Sequence, residues 1–561
     1  MPLPKAAPAR ALRRDEPGRL VLVSLAFVVA ISLVGCGSAA TRSLDFRLPA
    51  GSRERGAVVF LVDGVNAETF EELLDKGELP AIRKYFVDRG LYVRRAVAGI
   101  PTITLVNQTC IITGRFPGHH GIVGNGWFDR NRLILRDYRL IAEKNKLDQD
   151  HRATTLFECL PDELTCSLFY QSHRGATKWA EDRLSAGPPF FFGWYGFIDE
   201  LTLSRFEIVA DLSRRYRQFA GLTMVYLLNA DFQAYEHGTG SPQYRQALRD
   251  ADRGVGRVLG DLERAGLLEK IHIALVSDHG HSDVTRHYSL ARLLREQAGV
   301  NLSRDPVSED VPFEARLATF DRCTGVCFYN GDRYAGLYLR KPDRRTAAGG
   351  RWHTWLVRPS MEDLKDYPAR GRTIDLPSLL VSHDAVDAVC FSAGPDRARV
   401  QTKAGEVEFD QHGGAGMPIR YRLIRGTDPL GWRDQVSDDV LGGKALGPRE
   451  WLSVTSATEY PDLPAQIVAY FRADRAADLA IFAAVGWDFG TRHRSGHGGV
   501  RAVDLRVPFI LAGPGVPHEQ RDTDVRTVDL MPTLLMLLGR PVPPGLDGKS
   551  LVSQPDHGDV R

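Results

Sequence analysis

The chain has 561 residues, 43% apolar and 25% charged, so a packed core is expected, as one large α/β domain with insertions or as two domains. With 72 basic against 70 acidic residues the net charge is only +2. That balance lacks the basic excess of a nucleic-acid-binding surface, and no nucleic acid polymer is expected as a partner.

At the N-terminus Arg10, Arg13, Arg14 and Arg19 precede an apolar stretch from Leu20 to Val34. Its length suits the apolar region of a signal peptide and is short for a membrane span. It ends in Leu33-Val34-Gly35-Cys36, which resembles a bacterial lipobox. The resemblance implies cleavage before Cys36 and a lipid on its thiol; an uncleaved N-terminal anchor is the alternative. Asp15-Glu16 after Arg13-Arg14 argues against a twin-arginine export signal. Either way the chain is expected in the bacterial cell envelope, membrane-anchored and facing the periplasm or exterior, with 1–36 as signal peptide and 37–54 as tether.

From Ala57 onward strands, turns and helices alternate, which argues for a mainly parallel sheet flanked by helices. Strands are predicted at Ala57–Val62, Leu222–Leu228, Ile271–Val276, Leu479–Val485 and Val507–Leu511. Apolar positions at helical spacing predict a helix within Ser241–Leu267, and Val528–Leu538 predicts an apolar one that the Pro-rich run from Pro541 ends. Between about Ser289 and Ser453 the pattern changes to short β-like pieces among Arg-, Asp- and Gly-rich turns. The expected division is a core first part at 55–288, an inserted α+β cap region at 289–453, a core second part at 454–551 and a tail at 552–561. Beyond Cys36 there are six cysteines. Cys159/Cys166 and Cys323/Cys327 suit small disulfide loops or free thiols, and Cys323–Cys327 would also suit half a zinc knuckle, whose second half is not found.

Two of the strands end in acids, Asp63-Gly64 and Asp278-His279-Gly280. Ligands and metals gather at the C-terminal mouth of such sheets, so these acids are expected to share a site. Between them lies Pro101-Thr102-Ile103-Thr104-Leu105-Val106-Asn107, leading through an apolar helix to Thr113-Gly114-Arg115-Phe116-Pro117-Gly118-His119-His120-Gly121. A hydroxyl at a helix N-terminus suits attack on phosphorus, because helix-end N–H groups favour anions and a bound metal lowers the hydroxyl pKa.

These segments, in this order, resemble the alkaline phosphatase superfamily, in its type I phosphodiesterase/nucleotide pyrophosphatase branch. Asp231, Ser277 to Gly280, His497-Gly498, Val507 to Gly515 and Asp529 to Leu535 complete the resemblance. It implies an alkaline-phosphatase-like core and two divalent ions, for which the carboxylate and imidazole ligands suit zinc. Asp63, Thr104, Asp278 and His279 would hold one, and Asp231, a nearby histidine and His497 the other. Thr104 would be the nucleophile, passing through a phospho-threonine, and Asn107 would donate to a non-bridging oxygen. The family's Asp-x-x-x-His is broken here by Tyr235, so His237 is the expected third ligand of the second ion, with Tyr235 itself or a weakened site as alternatives.

Read singly, Asp63, Asp278 and Thr104 would equally cap helices, and Thr102 rivals Thr104. His119 and His120 are expected to pack locally and His281 to be structural, while His497 is favoured as ligand over the rival His493. Asp428 to Trp432 is expected to form a turn with an aromatic anchor. The expected activity is hydrolysis of a small phosphate ester. A phosphomonoesterase, a phosphonate hydrolase and a catalytically weakened surface-binding lipoprotein remain as alternatives. The segment Thr104 to Gln108 lacks the Cys/Ser-x-Pro-x-Arg of a sulfatase.

Overall fold

The seven residues Gly56–Val62 (GAVVFLV) offer no polar face, and the strand they form is buried along its whole length. It lies inside an eight-stranded sheet of order Glu519–Arg521, Gly90–Val97, Arg506–Ala512, Ile271–Val276, Gly56–Val62, Leu222–Leu227, Thr165–Leu168, Lys178–Ala180. The computed structural model describes residues 55–140, 143–180, 183–216, 219–303, 309–343, 352–369, 371–522 and 524–553. The expected signal peptide, the Cys36 lipobox, the tether and the tail beyond 553 lie outside these.

Five successive strands, from Ile271–Val276 to Lys178–Ala180, run parallel, and Arg506–Ala512 opposes both of its neighbours. The mainly parallel sheet is therefore as expected, with one reversed strand. Alternate residues of Gly56–Val62 face opposite layers. Val58, Phe60 and Val62 pack towards the helices Tyr195–Tyr216 and Pro242–Arg264, while Ala57, Val59 and Leu61 pack towards Thr104–Thr113 and Leu530–Leu537. The helix Pro242–Arg264 starts where Ser241 accepts from the Tyr244 N–H with Pro242 in its first turn.

The β-like pieces of the middle region do form strands. They build a seven-stranded antiparallel sheet of order Gly325–Asn330, Tyr334–Leu339, Leu479–Ala483, Val386–Gly394, Arg397–Thr402, Gly405–Asp410, Arg420–Gly426. The strand expected over Leu479–Val485 as part of the main core belongs here, paired with Tyr334–Leu337 and Val386–Cys390. An apolar run of five residues carries no information about which sheet it joins; its partners decide that.

Asp428 accepts from the Trp432 and Arg433 N–H groups, making the expected turn, and Trp432 is buried among Phe409, Tyr421 and Trp451. Cys110, Cys159, Cys166, Cys327 and Cys390 are free thiols, so the expected disulfide loops do not form through them. Among the described residues no helix is long and apolar enough to cross a membrane.

Candidate metal centre and nucleophile

Register brings the acids together. Pairing aligns Val62 with Leu227 and Leu61 with Val276, so the three parallel strands end level and deliver Asp63, the Asn229–His237 helix and Asp278 to one mouth. Asp63 does not cap the next helix, because Asn66 does so by accepting from the Thr69 N–H. Asp63 Oδ2 accepts from the Tyr226 hydroxyl and Asp278 Oδ1 accepts from the Gly64 and His279 N–H groups. The other oxygens, Asp63 Oδ1 and Asp278 Oδ2, are buried without a hydrogen-bond partner. Buried carboxylate oxygens left unpaired are costly unless something cationic meets them.

Three imidazoles close the mouth, each tied by Nδ1 and presenting Nε2. His279 Nδ1 lies 3.1 Å from the Gly280 carbonyl, His497 Nδ1 2.7 Å from the Thr102 carbonyl, and His281 Nδ1 2.9 Å from Ser495 Oγ. The His279 and His497 rings stack at 3.7 Å. Two groups of ligand atoms lie within 4.8 Å of one another: Asp63, Asp278 and His279, and Asp231, His279, His281 and His497. Burial, and then the charge of Asp231, pushes the Asp63 carboxyl well up, and burial with the charge of Asp63 does the same to Asp278. Burial pushes Asp231 up to about 8. It also pushes His281 and His497 down to about 3 and His279 well below the usual imidazole range, so these rings are neutral and ready to ligate. A carboxylate and imidazole donor set with unpaired buried oxygens fits divalent cations of the zinc type.

Thr104 is the first residue of the helix Thr104–Thr113, and its hydroxyl lies 3.1 Å from His279 Nε2. Its rival Thr102 is fully buried and spent on structure. The Thr102 hydroxyl donates to the Gly499 carbonyl at 2.9 Å and accepts from the Gly498 N–H at 3.0 Å.

The expected role of Asn107 does not match its position. Its side chain is buried and donates to the carbonyls of Gly99 and Pro101 while accepting from the Gly99 N–H. It braces the approach to Thr104 and has no face towards the mouth. Asn125, which the sequence reading missed, accepts from the Leu105 N–H at 3.1 Å and so lies beside Thr104 at the helix N-terminus. No local pattern marks it, because it reaches the helix from a separate loop.

The helix of Asp231 also departs from expectation, because it does not bring His237 to the mouth. His237 is exposed beside Glu236 and is not gathered with the others. At the C-terminal end of a nine-residue helix it has turned away from the mouth that Asp231 faces. His281, expected to be structural, is fully buried with Nε2 2.6 Å from Asp231 Oδ1. Tyr235 packs against His281 and His497, and His493 bonds through Nδ1 to Asp332. His119 pairs with Asp547, and His120 is buried with Cys110, both local as expected.

Fold and site together define an alkaline-phosphatase-like α/β protein with a buried Asp/His centre. Residues 57–320 match the family model of type I phosphodiesterase / nucleotide pyrophosphatase. Venom phosphodiesterase 2 of Crotalus adamanteus is 24% identical over 248 residues, 42% of this chain and 28% of that protein. Mouse ectonucleotide pyrophosphatase/phosphodiesterase family member 1 is 26% identical over 237 residues, 41% of this chain and 24% of that protein. The chain thus spans between 24% and 28% of the length of these curated relatives. Murine ectonucleotide pyrophosphatase/phosphodiesterase 5, solved in an inactive form with AMP, shares the fold at a TM-score of 0.55 and 14% identity, over 87% of this chain and 96% of that one. Residues 57–320 are thus similar to the type I phosphodiesterase / nucleotide pyrophosphatase family, and the fold is that of the murine family member 5.

Proposed function

We propose that the chain hydrolyses phosphate esters as a phosphodiesterase of the nucleotide pyrophosphatase type, with Thr104 as nucleophile. One observation carries the reading: the Thr104 hydroxyl begins a ten-residue helix and faces, through His279 at 3.1 Å, a buried set of carboxylates and imidazoles. Two divalent cations, zinc by the chemistry of the donors, would supply charge to lower the pKa of the Thr104 hydroxyl and of the leaving oxygen. Asp63, Asp278, His279 and Thr104 would hold one, and Asp231 and His497 belong to the other.

Attack of Thr104 Oγ1 on phosphorus expels the first alcohol or phosphate and leaves a phospho-threonine, which water then cleaves. The N-terminal N–H groups of the Thr104 helix and the Asn125 amide favour the phosphoryl oxygens. A lipid on Cys36 would hold this site outside the cytoplasm within tether reach of a membrane. The weakened-site alternative rests on Tyr235 and is separated by metal content.

The test compares bis-p-nitrophenyl phosphate with p-nitrophenyl phosphate on purified protein before and after chelation. Diester preference that vanishes with the metal is expected. Turnover indifferent to chelation, or preference for the monoester, overturns the assignment.

A further inference from the structure

Four residues beyond Asp231, where the resembled family carries a histidine, this chain has Tyr235, and the next imidazole on that helix faces solvent. The mouth nevertheless holds a third imidazole in van der Waals reach of the second group, delivered by another element. We propose that His281, from the turn after the Ile271–Val276 strand, replaces the lost helix histidine as a ligand of the second cation beside Asp231 and His497. The proposal rests on the two-cation reading above and specifies how that site is completed in this chain.

His281 is seated as a ligand is seated. Its Nδ1 lies 2.9 Å from Ser495 Oγ and its Nε2 2.6 Å from Asp231 Oδ1, and the tautomer that donates from Nδ1–H to Ser495 would leave the Nε2 lone pair for a cation in the mouth. A polar partner on the far nitrogen is what fixes the tautomer and ring direction of metal-bound histidines. The backbone is held too, since the Asn66 amide donates to the His281 carbonyl at 3.1 Å.

Space for the ring has been cleared by Gly64. Its φ is +67°, and a Cβ there would meet His281 Cδ2 at 2.8 Å and Asp231 Oδ1 at 2.9 Å. Tyr235 stands edge-on to His281, ring centroids 5.0 Å apart, and acts as a wall behind the imidazole. A phenol must also lose a proton with a pKa of about 10 to bind as an anion, whereas imidazole offers a lone pair at neutral pH. The five residues Ser277–His281 would then serve both cations, Asp278 and His279 the one and His281 the other.

The experiment is zinc content of the purified full chain by elemental analysis after dialysis, with affinity from competition against a chromophoric chelator. The unaltered chain and His237→Ala are expected to hold two equivalents and His281→Gln one, with a second recovered in Tyr235→His/His281→Gln. Ser495→Ala is expected to weaken the second equivalent by about 10- to 100-fold. It serves also if His281→Gln does not fold. Two equivalents at unaltered affinity in His281→Gln, no recovery in the double variant, or unaltered affinity in Ser495→Ala overturns the ligand exchange while the two-cation reading stands. An unaltered chain that holds no zinc removes that reading instead.

Discussion

Two threonines, two residues apart, divide the work at the head of one helix, and their hydrogen bonds tell them apart. Thr102 spends both donor and acceptor on the Gly498–Gly499 backbone, so Thr102→Val should cost about 1–3 kcal/mol in urea denaturation by unpairing a buried N–H and carbonyl. Among the described residues Thr104 has His279 as its one side-chain partner, so Thr104→Ala should leave stability nearly unchanged. It should lower turnover by roughly 10³-fold or more and abolish acid-trapped phospho-enzyme; full turnover would refute the nucleophile assignment. Asp199 gives a prediction free of metal. It accepts from the Leu228 and Asn229 N–H groups at the start of the Asp231 helix, and burial pushes its carboxyl up to about 7. An unfolded aspartate titrates near 3.9, so between about pH 4 and 7 the folded chain keeps a proton that the unfolded chain has lost. Its stabilising contribution is complete below pH 4 and gone above 7, with a slope of at most about 1.4 kcal/mol per pH unit. Asp199→Asn removes that slope, so it should gain stability relative to the unaltered chain on going from pH 5 to pH 8; parallel profiles would refute this. The strand-end acids Asp63 and Asp278 were legible in the sequence as members of an ordered set, since each alone would equally cap a helix. Asn107 and His281 were not. Spacing along a helix does not say that an amide is consumed by the loop behind it, and the partner that orients His281 lies more than 200 residues away.

At the scale of elements, the site depends on three parallel strands ending level and on one hairpin of the second sheet. The turn between Gly325–Asn330 and Tyr334–Leu339 grips the His497 backbone, with the His497 N–H donating to the Gly331 carbonyl and the Arg333 N–H donating to the His497 carbonyl. Gly331 has φ +59°, and a Cβ there would meet the His497 carbonyl oxygen at 2.5 Å and Nδ1 at 2.6 Å. Gly331→Ala should therefore displace His497, weaken metal binding and cost about 1–3 kcal/mol of stability; unaltered metal affinity in the folded variant would show that the hairpin is a bystander. A hairpin of the second sheet thus builds part of the site. Periodicity revealed Pro242–Arg264 and four strands of the main sheet, where burial imposes its period on sequence, but not Gly90–Val97, Thr165–Leu168 or the helix Tyr195–Tyr216. What it could not reveal was allegiance. Leu479–Ala483 and Ile271–Val276 are both short buried apolar runs, yet they pair in different sheets.

For the whole molecule, the two sheets are coupled through Arg333, which is fully buried with Asp504 and also donates to the carbonyls of Ala483, Ala484 and Trp487. The Asp504 carbonyl in turn accepts from the Gly280 N–H, so the same contact braces the Asp278–His281 turn. Removing one member of a buried pair leaves an uncompensated charge, and Arg333→Met should cost about 3–5 kcal/mol. Chelation should act on the same linkage from the other side. Three carboxylates crowd one mouth with two of their oxygens unpaired, an arrangement favourable only when cations meet it. Binding that is confined to the folded state adds RT ln(1 + [L]/Kd), about 2.7 kcal/mol per site at a hundredfold excess over Kd. Chelated protein should thus unfold at a lower temperature, and readdition of zinc should raise the midpoint in proportion to the logarithm of its free concentration. Asp231→Asn, with one carboxylate fewer to neutralise, should lose less on chelation than the unaltered chain does. A melting temperature that ignores both chelator and zinc would mean that the acids are held by shared protons alone, and that the mouth is not a metal centre.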